Sequence, residues 1–286
     1  MKGKLYIVST PIGNLEDITY RAIRVLREVD LVAAEDTRRT LKLFRAYEIE
    51  KPLTSVHDYN ERRKSHILLD RMFSGLNVAY VSDAGTPGIS DPGYVLINGA
   101  IERGIQVIPV PGPSAAVTAL SVSGLPMDRF IFEGFLPSRE KHRRQFLDDL
   151  VDETRTMVFY ESPKRLEASL RDIAAIMGDR VVVLAREMTK VYEEIIRGNV
   201  LEVLKLLIGK TVKGEITLIV AGCSRPKAGA VGTSEDVRKC LEVIIASPGI
   251  SMRDAVRQVS DRLNVPRKQV YRIAVKNFRL DPPSSV

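Results

Sequence analysis

Short apolar runs and amphipathic stretches alternate along most of this chain. Residues 5–8 and 31–34 are apolar runs of strand length, and residues 19–29 between them repeat apolar positions at helical spacing. The alternation continues with a helix expected over 62–72, a strand over 78–81, a helix over 94–102 and a strand over 106–110. This order predicts an α/β sheet with mostly parallel strands. Ligands of such sheets sit at the carboxyl ends of strands, where three Gly/Pro-rich loops fall: 9–14, 82–93 and 111–113.

A second α/β set follows a switch near residues 114–124. Strands are expected over 130–132, 156–160, 181–185 and 216–221, with a weaker one over 193–197. Helices are expected over 139–150, 164–177 and 200–208, and no internal repeat of fixed period is visible. A small-residue stretch at 224–233, SRPKAGAVGT, then reads as a linker. Beyond it lie three helical patterns. The first spans 235–246. The second opens at the capping signature Ser251-Met-Arg-Asp254, with Ala255, Val256, Val259 and Leu263 on one face. Asn264 and Val265 make a tight break, and Pro266 suits the first turn of a third helix running to about Asn277. That outline is a helix-turn-helix. Val270, Ile273 and Ala274 are expected to pack inward, and Arg267, Lys268, Arg272 and Lys276 to face out.

Charge sharpens this division. Residues 226–286 hold 11 basic and 6 acidic residues, against 32 and 30 in the preceding 225. Most of the excess positive charge therefore lies in the tail, which points to an anionic macromolecular partner. The run Arg139-Glu-Lys-His-Arg-Arg144 is a second basic face and a second candidate for RNA contact. The apolar stretches are strand-sized, far short of a bilayer span, and the basic start leads into a strand, not a signal peptide. Two cysteines, Cys223 and Cys240, and three histidines show no zinc-ligand spacing, so no metal site is expected. Buried thiols and a cytoplasmic location fit.

The loops narrow the chemistry. The segment 81–93, VSDAGTPGISDPG, has three glycines, two prolines and two aspartates but no lysine or arginine. A phosphate-binding loop normally recruits cations or amides, so this loop suits a ligand without a polyphosphate. Neither a Gly-x-Gly-x-x-Gly nor a P-loop follows any strand, and no Gly-x-Ser-x-Gly elbow occurs. The segment 110–124, VPGPSAAVTALSVSG, carries no charge at all. These parts suit a ligand with its own positive charge, an adenine ring and an amino-acid end.

Several ordered motifs then carry a resemblance: STPIGNLEDIT at 9–19, AEDTR at 34–38, the 81–93 loop, PVPGPSAA at 109–116, FYESPKR at 159–165, AREMTK at 185–190 and KGEIT at 213–217. The chain resembles the tetrapyrrole (corrin/porphyrin) methylase superfamily of S-adenosylmethionine-dependent methyltransferases. Within it, the chain is similar to the branch that methylates the 2′-oxygen of a cytidine ribose in small-subunit (16S) ribosomal RNA. The resemblance covers 5–222 and the helical tail, and departs at Met188, where the pattern carries a small or aliphatic residue.

The resemblance implies a two-domain α/β methylase with its cofactor cleft between domains. One domain would span 1–115 and a second 116–223, followed by a linker at 224–234 and a helical RNA-binding domain at 235–286. It also implies a homodimer acting on 16S RNA or the small ribosomal subunit. Carried over, the S-adenosylmethionine contacts are Pro11, Asp83, Ala84, Gly85, Ser114, Ala115, Tyr160, Gly214 and Glu215. In the residue chemistry, Asp83 suits an amino or hydroxyl donor, glycine amides suit a carboxylate, and 110–124 suits a wall for adenine.

Methyl transfer from a sulfonium needs in-line placement and a readied nucleophile. A ribose hydroxyl gains from a base or a cationic neighbour. Glu35, Asp36, Arg38 and Lys164 are the catalytic candidates, since their motifs place polar groups just past strand ends. The alternative for Glu35 and Arg38 is a mutual pair holding a loop, and for Arg165 a phosphate or a neighbouring acid. His57 suits a helix start or a substrate lip. Two other readings remain open: a methylase of a small corrin or porphyrin, and a nucleic-acid-binding regulator that senses a ligand.

Overall fold

The structure, a computed structural model, describes residues 1–224, 234–245, 250–263 and 265–278. Most of the expected linker, Asn264 of the expected break and residues from 279 onward lie outside them. The chain divides into two compact units, Met1–Cys223 and Ser224–Val286.

The first unit opens with β1 (Lys4–Val8), α1 (Tyr20–Glu28), β2 (Leu31–Ala34), α2 (Thr37–Ala46) and β3 (Leu53–Ser55). It continues through α3 (Glu61–Phe73), β4 (Val78–Val81), α4 (Tyr94–Glu102) and β5 (Gln106–Val110). The five strands lie in the order β3-β2-β4-β1-β5. Every pairing is parallel, as the alternation of strands and helices predicted; Leu5 sits between Val78 and Val107. Every residue of β2 and β4 is buried, as expected of strands covered on both faces. The two-residue period sends Val8, Val32 and Val81 into a core with Val25 and Leu26 of α1. Leu5, Leu31 and Tyr80 go to the other face, against Leu68, Leu69 and Leu96 of α3 and α4.

After β5 comes α5 (Ala115–Ser121), then β6 (Phe130–Phe135), α6 (Glu140–Asp149), β7 (Thr156–Glu161) and α7 (Leu166–Met177). The rest of the unit is β8 (Val181–Arg186), β9 (Glu194–Asn199), α8 (Val200–Leu207) and β10 (Ile216–Val220). These strands order as β6-β7-β10-β8-β9. Here β6 and β7 are parallel and the remaining pairs antiparallel. Phe159, Leu184 and Leu218 face α6, α7 and α8. Val158, Val183 and Ile219 face Ala116, Ala119 and Leu120 of α5. The uncharged 110–124 segment thus contains a helix that seals one face of the second sheet.

The basic run before residue 145 is not one solvated face. Arg143 is buried and bonds Asp172 of α7, and Arg144 reaches the other oxygen of the same carboxylate at 2.8 Å.

The second unit holds α9 (Ser234–Ile245), α10 (Met252–Leu263) and α11 (Arg267–Asn277). Ser251 Oγ accepts from the Asp254 amide at 3.1 Å, the cap its sequence signature predicted. Val237, Leu241, Val256, Val259, Val270 and Ala274 form a separate core. Cys223 and Cys240 are half-buried, not fully enclosed as expected; Cys240 packs at the margin of the tail's core. Among the described residues no helix is long and apolar enough to cross a membrane.

Candidate active site

The strand-end loops of the first sheet are laced together by their own polar groups. Thr10 and Gly85 exchange backbone hydrogen bonds of 2.9 and 3.0 Å, and Thr10 Oγ1 donates to the Ser82 carbonyl at 3.2 Å. Ser9 and Thr86 hydroxyls meet at 2.8 Å. The Gly85 amide is therefore engaged with Thr10, and what Gly85 offers a ligand is close approach of its backbone.

The far side of the 82–93 loop is held from below. Tyr80 Oη, buried and with its ionisation pushed well above the usual phenol range by burial, donates to the Pro92 carbonyl at 2.9 Å. Glu61 of α3 accepts from the Gly93 and Val95 amides at 2.8 and 3.1 Å. Gly93 precedes α4 and has no side chain to cap it, so a carboxylate from a neighbouring helix does so, complementing the positive end of the helix.

Above these loops lies a cavity of about 320 Å³. Ile12, Ala84, Gly85, Ser90, Asp91, Ser114 and Ala115 contribute from the first half of the unit. Phe135, Tyr160, Met188, Gly214, Glu215, Ile216 and Thr217 contribute from the second. Among the described residues, no lysine or arginine lines it. Gly214 is required at its turn: φ is +91°, and a Cβ there would fall 2.3 Å from Cδ of Glu187. Glu187 Oε1 in turn accepts from the Glu215 amide at 2.9 Å and from Lys190 Nζ at 2.8 Å. Tyr160 stacks edgewise between Phe132 and Phe135, with centroids 5.0 and 5.5 Å away. Burial raises its hydroxyl's ionisation, opposed by a backbone hydrogen bond at Ala116.

Asp91 is the polar feature of this cavity that single-residue reasoning missed. Burial, reinforced by the charge of Glu35, pushes its carboxyl up to about 6, against a stabilising hydrogen bond from Ser82. Its identity was legible in the 81–93 motif, but its burial was not. Met188 also lines the cavity, so the one departure from the family pattern lies in the cavity wall.

A second depression, of about 490 Å³, opens at the ends of β2, β3 and β4 and is lined by Glu35, Asp36, Arg38, His57, Asp58, Tyr59 and Asp83. Two loops interlock there. Glu35 Oε2 accepts from the Asp83 amide at 3.3 Å, and Asp83 Oδ1 accepts from the Asp36 amide at 2.9 Å. Asp83 Oδ2 also lies 3.3 Å from Arg39. Burial raises the Glu35 carboxyl above its ordinary value; the Asp83 amide opposes this, and the charges of Asp83 and Asp58 add to it. Asp36 is held down at about 2, first by its hydrogen bond to Arg38, a pair 2.7 Å apart.

Seven of the nine expected cofactor residues therefore share the first cavity: Ala84, Gly85, Ser114, Ala115, Tyr160, Gly214 and Glu215. Pro11 precedes the lining residue Ile12, while Asp83 belongs to the second depression. Glu35, Asp36 and Arg38 come together, but the pair is Asp36 with Arg38, and Glu35 bonds Asp83 instead. Lys164 is exposed in the turn after β7, next to Pro163 of the first cavity. Arg165 pairs with the buried Glu161 at 2.8 Å, the neighbouring-acid alternative. His57 serves the helix start, where its amide bonds Asn60 Oδ1 at 3.0 Å, and also lines the depression.

A parallel sheet and a mixed sheet joined around a carboxylate-bearing cavity without lysine or arginine define a two-sheet α/β enzyme of the methylase type. Residues 4–204 match the Tetrapyrrole (Corrin/Porphyrin) Methylases, and the chain belongs to that family. It is 46% identical over 274 residues to the Ribosomal RNA small subunit methyltransferase I of Halalkalibacterium halodurans, covering 95% of this chain and 94% of that one. The protein of the same name from Thermotoga maritima is 54% identical over 220 residues, 77% of this chain and 99% of its own length. A uroporphyrin-III C-methyl transferase from Thermus thermophilus, complexed with S-adenyl homocysteine, shares the fold. Its TM-score is 0.56 at 18% identity, over 77% of this chain and 97% of that one.

Proposed function

We propose that this protein transfers the methyl group of S-adenosylmethionine to the ribose 2′-oxygen of a cytidine in small-subunit (16S) ribosomal RNA. The observation that carries this reading is the 46% identity, over nearly the whole of both chains, to a relative named for small-subunit ribosomal RNA methylation. The likeness to the uroporphyrin enzyme, at 18% identity, speaks for the fold and not for a tetrapyrrole substrate.

The first cavity fits the donor. S-adenosylmethionine brings an already activated methyl group on a positively charged sulfur. A site without cations and with Asp91 in its wall attracts that charge, while Ile12, Phe135 and Ile216 offer apolar contact to an adenine. Ser90, Ser114, Tyr160 and Thr217 supply hydroxyls for the donor's polar edges. Pro11, Ala84, Gly85, Ala115 and the Gly214–Glu215 turn shape the backbone around it.

The second depression suits the acceptor side. Glu35, its carboxyl raised above the ordinary value by burial and fixed by the Asp83 amide, is the proton acceptor for the 2′-hydroxyl. Asp36, held near 2, is a poor base and serves to orient Arg38 as the cationic neighbour. Lys164, exposed, meets RNA phosphate. The reading includes the division at residue 115, the linker at 224–234, an RNA-binding domain at 235–286, a homodimer and a cytoplasmic setting for ribosome assembly. The family match over residues 4–204, inside Met1–Cys223, supports placing the chemistry in the first unit.

The test uses tritiated S-adenosylmethionine with small subunits and 16S RNA from cells lacking the modification. Label in the RNA is expected. Label in a tetrapyrrole, with none in either RNA substrate, would overturn the assignment.

A further inference from the structure

Beside α10 and α11, the second unit carries a groove of about 480 Å³. Its walls are two pairs of residues spaced by one helical turn: Arg253 and Arg257 on α10, Arg267 and Tyr271 on α11. Met252 and Val256 lie between them. All four wall residues are exposed, and Tyr271 leaves 52% of its surface open. Asp254 is the acid among the lining residues, and it is occupied by Ser251 Oγ at 2.7 Å and Arg257 at 3.1 Å. Lys268, Arg272 and Lys276 of α11 are also exposed, and α11 contains no acid.

We propose that this groove binds single-stranded RNA, with one base stacked on Tyr271 and the flanking phosphates paired with Arg253 and Arg267. Guanidinium forks match phosphate oxygens bidentately, and three of them around one groove set up charge complementarity with a polyanion. The aromatic ring decides which polyanion. A base inside a duplex has both faces covered by its neighbours, whereas a base in an unpaired strand offers its π-face to a side chain. An aromatic ring set among arginines over an apolar floor therefore selects an unpaired strand over a duplex. The inference rests on the RNA reading above and adds the kind of RNA structure the tail engages. Since the family match covers residues 4–204 and ends before the tail, the groove is assigned to affinity and not to chemistry.

The experiment compares the full chain with three variants: Tyr271→Leu, Tyr271→Phe and the double variant Arg253→Gln/Arg267→Gln. Circular dichroism checks that the tail helices persist, and glutamine keeps high helix propensity at the two exposed positions. Binding is read by fluorescence anisotropy with a labelled mixed-sequence oligoribonucleotide and with duplex DNA of equal length. Methyl transfer to undermethylated small subunits is measured separately. Tyr271→Leu is expected to weaken oligoribonucleotide binding about tenfold, while Tyr271→Phe, which keeps the ring, binds as the parent does. The arginine variant is expected to flatten the plot of log affinity against log salt by about 1.4, roughly 0.7 for each phosphate left without its arginine. In methyl transfer, KM for subunits should rise in both with kcat unchanged. Parental oligoribonucleotide affinity in Tyr271→Leu, an unchanged salt slope, or duplex DNA bound as tightly as the single strand would each overturn the proposal. A parent chain that binds the strand in this groove but labels no RNA would instead overturn the methylation reading alone.

Discussion

Asp91 couples the first cavity to the acidic depression, because the charges of Glu35, Asp83 and Asp58 all reach it. Its carboxyl titrates at about 6 where the ordinary value is 3.8, so the folded chain takes up this proton more readily than the unfolded chain. The cost of keeping it ionised is present above pH 6 and is relieved as the pH falls through that value. Binding a cationic donor has the opposite preference, since it favours the ionised form. Donor affinity measured by calorimetry should therefore fall as the pH drops through about 6, and Asp91→Asn should bind more weakly at pH 8 with that dependence flattened. A parallel pH profile in the variant would remove Asp91 from the site. Glu35→Gln should lower kcat by about a hundredfold, the low end for a lost general base, with donor affinity little changed. The motifs exposed the identities of Asp91 and Met188 but not their roles. Both roles come from burial, which arises from strands and loops distant in sequence.

At the scale of elements, the 82–93 loop depends on supports that lie outside its own motif. Glu61 caps α4 from α3, so Glu61→Ala should cost about 1 kcal/mol in urea unfolding and weaken donor binding through a loosened loop. An unchanged donor affinity at reduced stability would separate the cap from the site. Asp172 is the tie between α6 and α7, with Arg143 at 2.7 Å and both side chains less than a tenth exposed. Asp172→Ala leaves that guanidinium buried without its partner and should destabilise the first unit by about 3–5 kcal/mol. The parallel sheet was legible because βαβ alternation and fully apolar strands are linked by the same physics. The antiparallel pairings of the second sheet were not, since a two-residue period says nothing of strand direction. α2 was missed because its buried side is two adjacent apolar residues and a threonine, Leu43, Phe44 and Thr40. β3 has three half-buried residues, too short a run to show a period. α5 hid in a stretch whose lack of charge reads equally well as a ligand wall.

The whole molecule combines a methylase unit with a basic helical unit that has its own core. Charge asymmetry, the Ser251 cap and the inward apolar faces made the tail's helices readable from sequence, while the groove that collects Arg253, Arg257, Arg267 and Tyr271 needed the packing of two helices. Deleting residues 226–286 should leave donor affinity close to that of the full chain, weaken RNA binding and reduce its dependence on salt. Equal loss of donor and RNA binding would make the tail a structural part of the methylase unit. The central claim is tested most directly by mass-spectrometric mapping of methylated nucleosides in 16S RNA, after small subunits lacking the modification are incubated with the protein and S-adenosylmethionine. The account predicts a methyl group on the 2′-oxygen of a cytidine, formed about a hundredfold more slowly when Glu35→Gln replaces the parent chain. Methylation on a base, on another RNA, or at the parental rate with Glu35→Gln would contradict it.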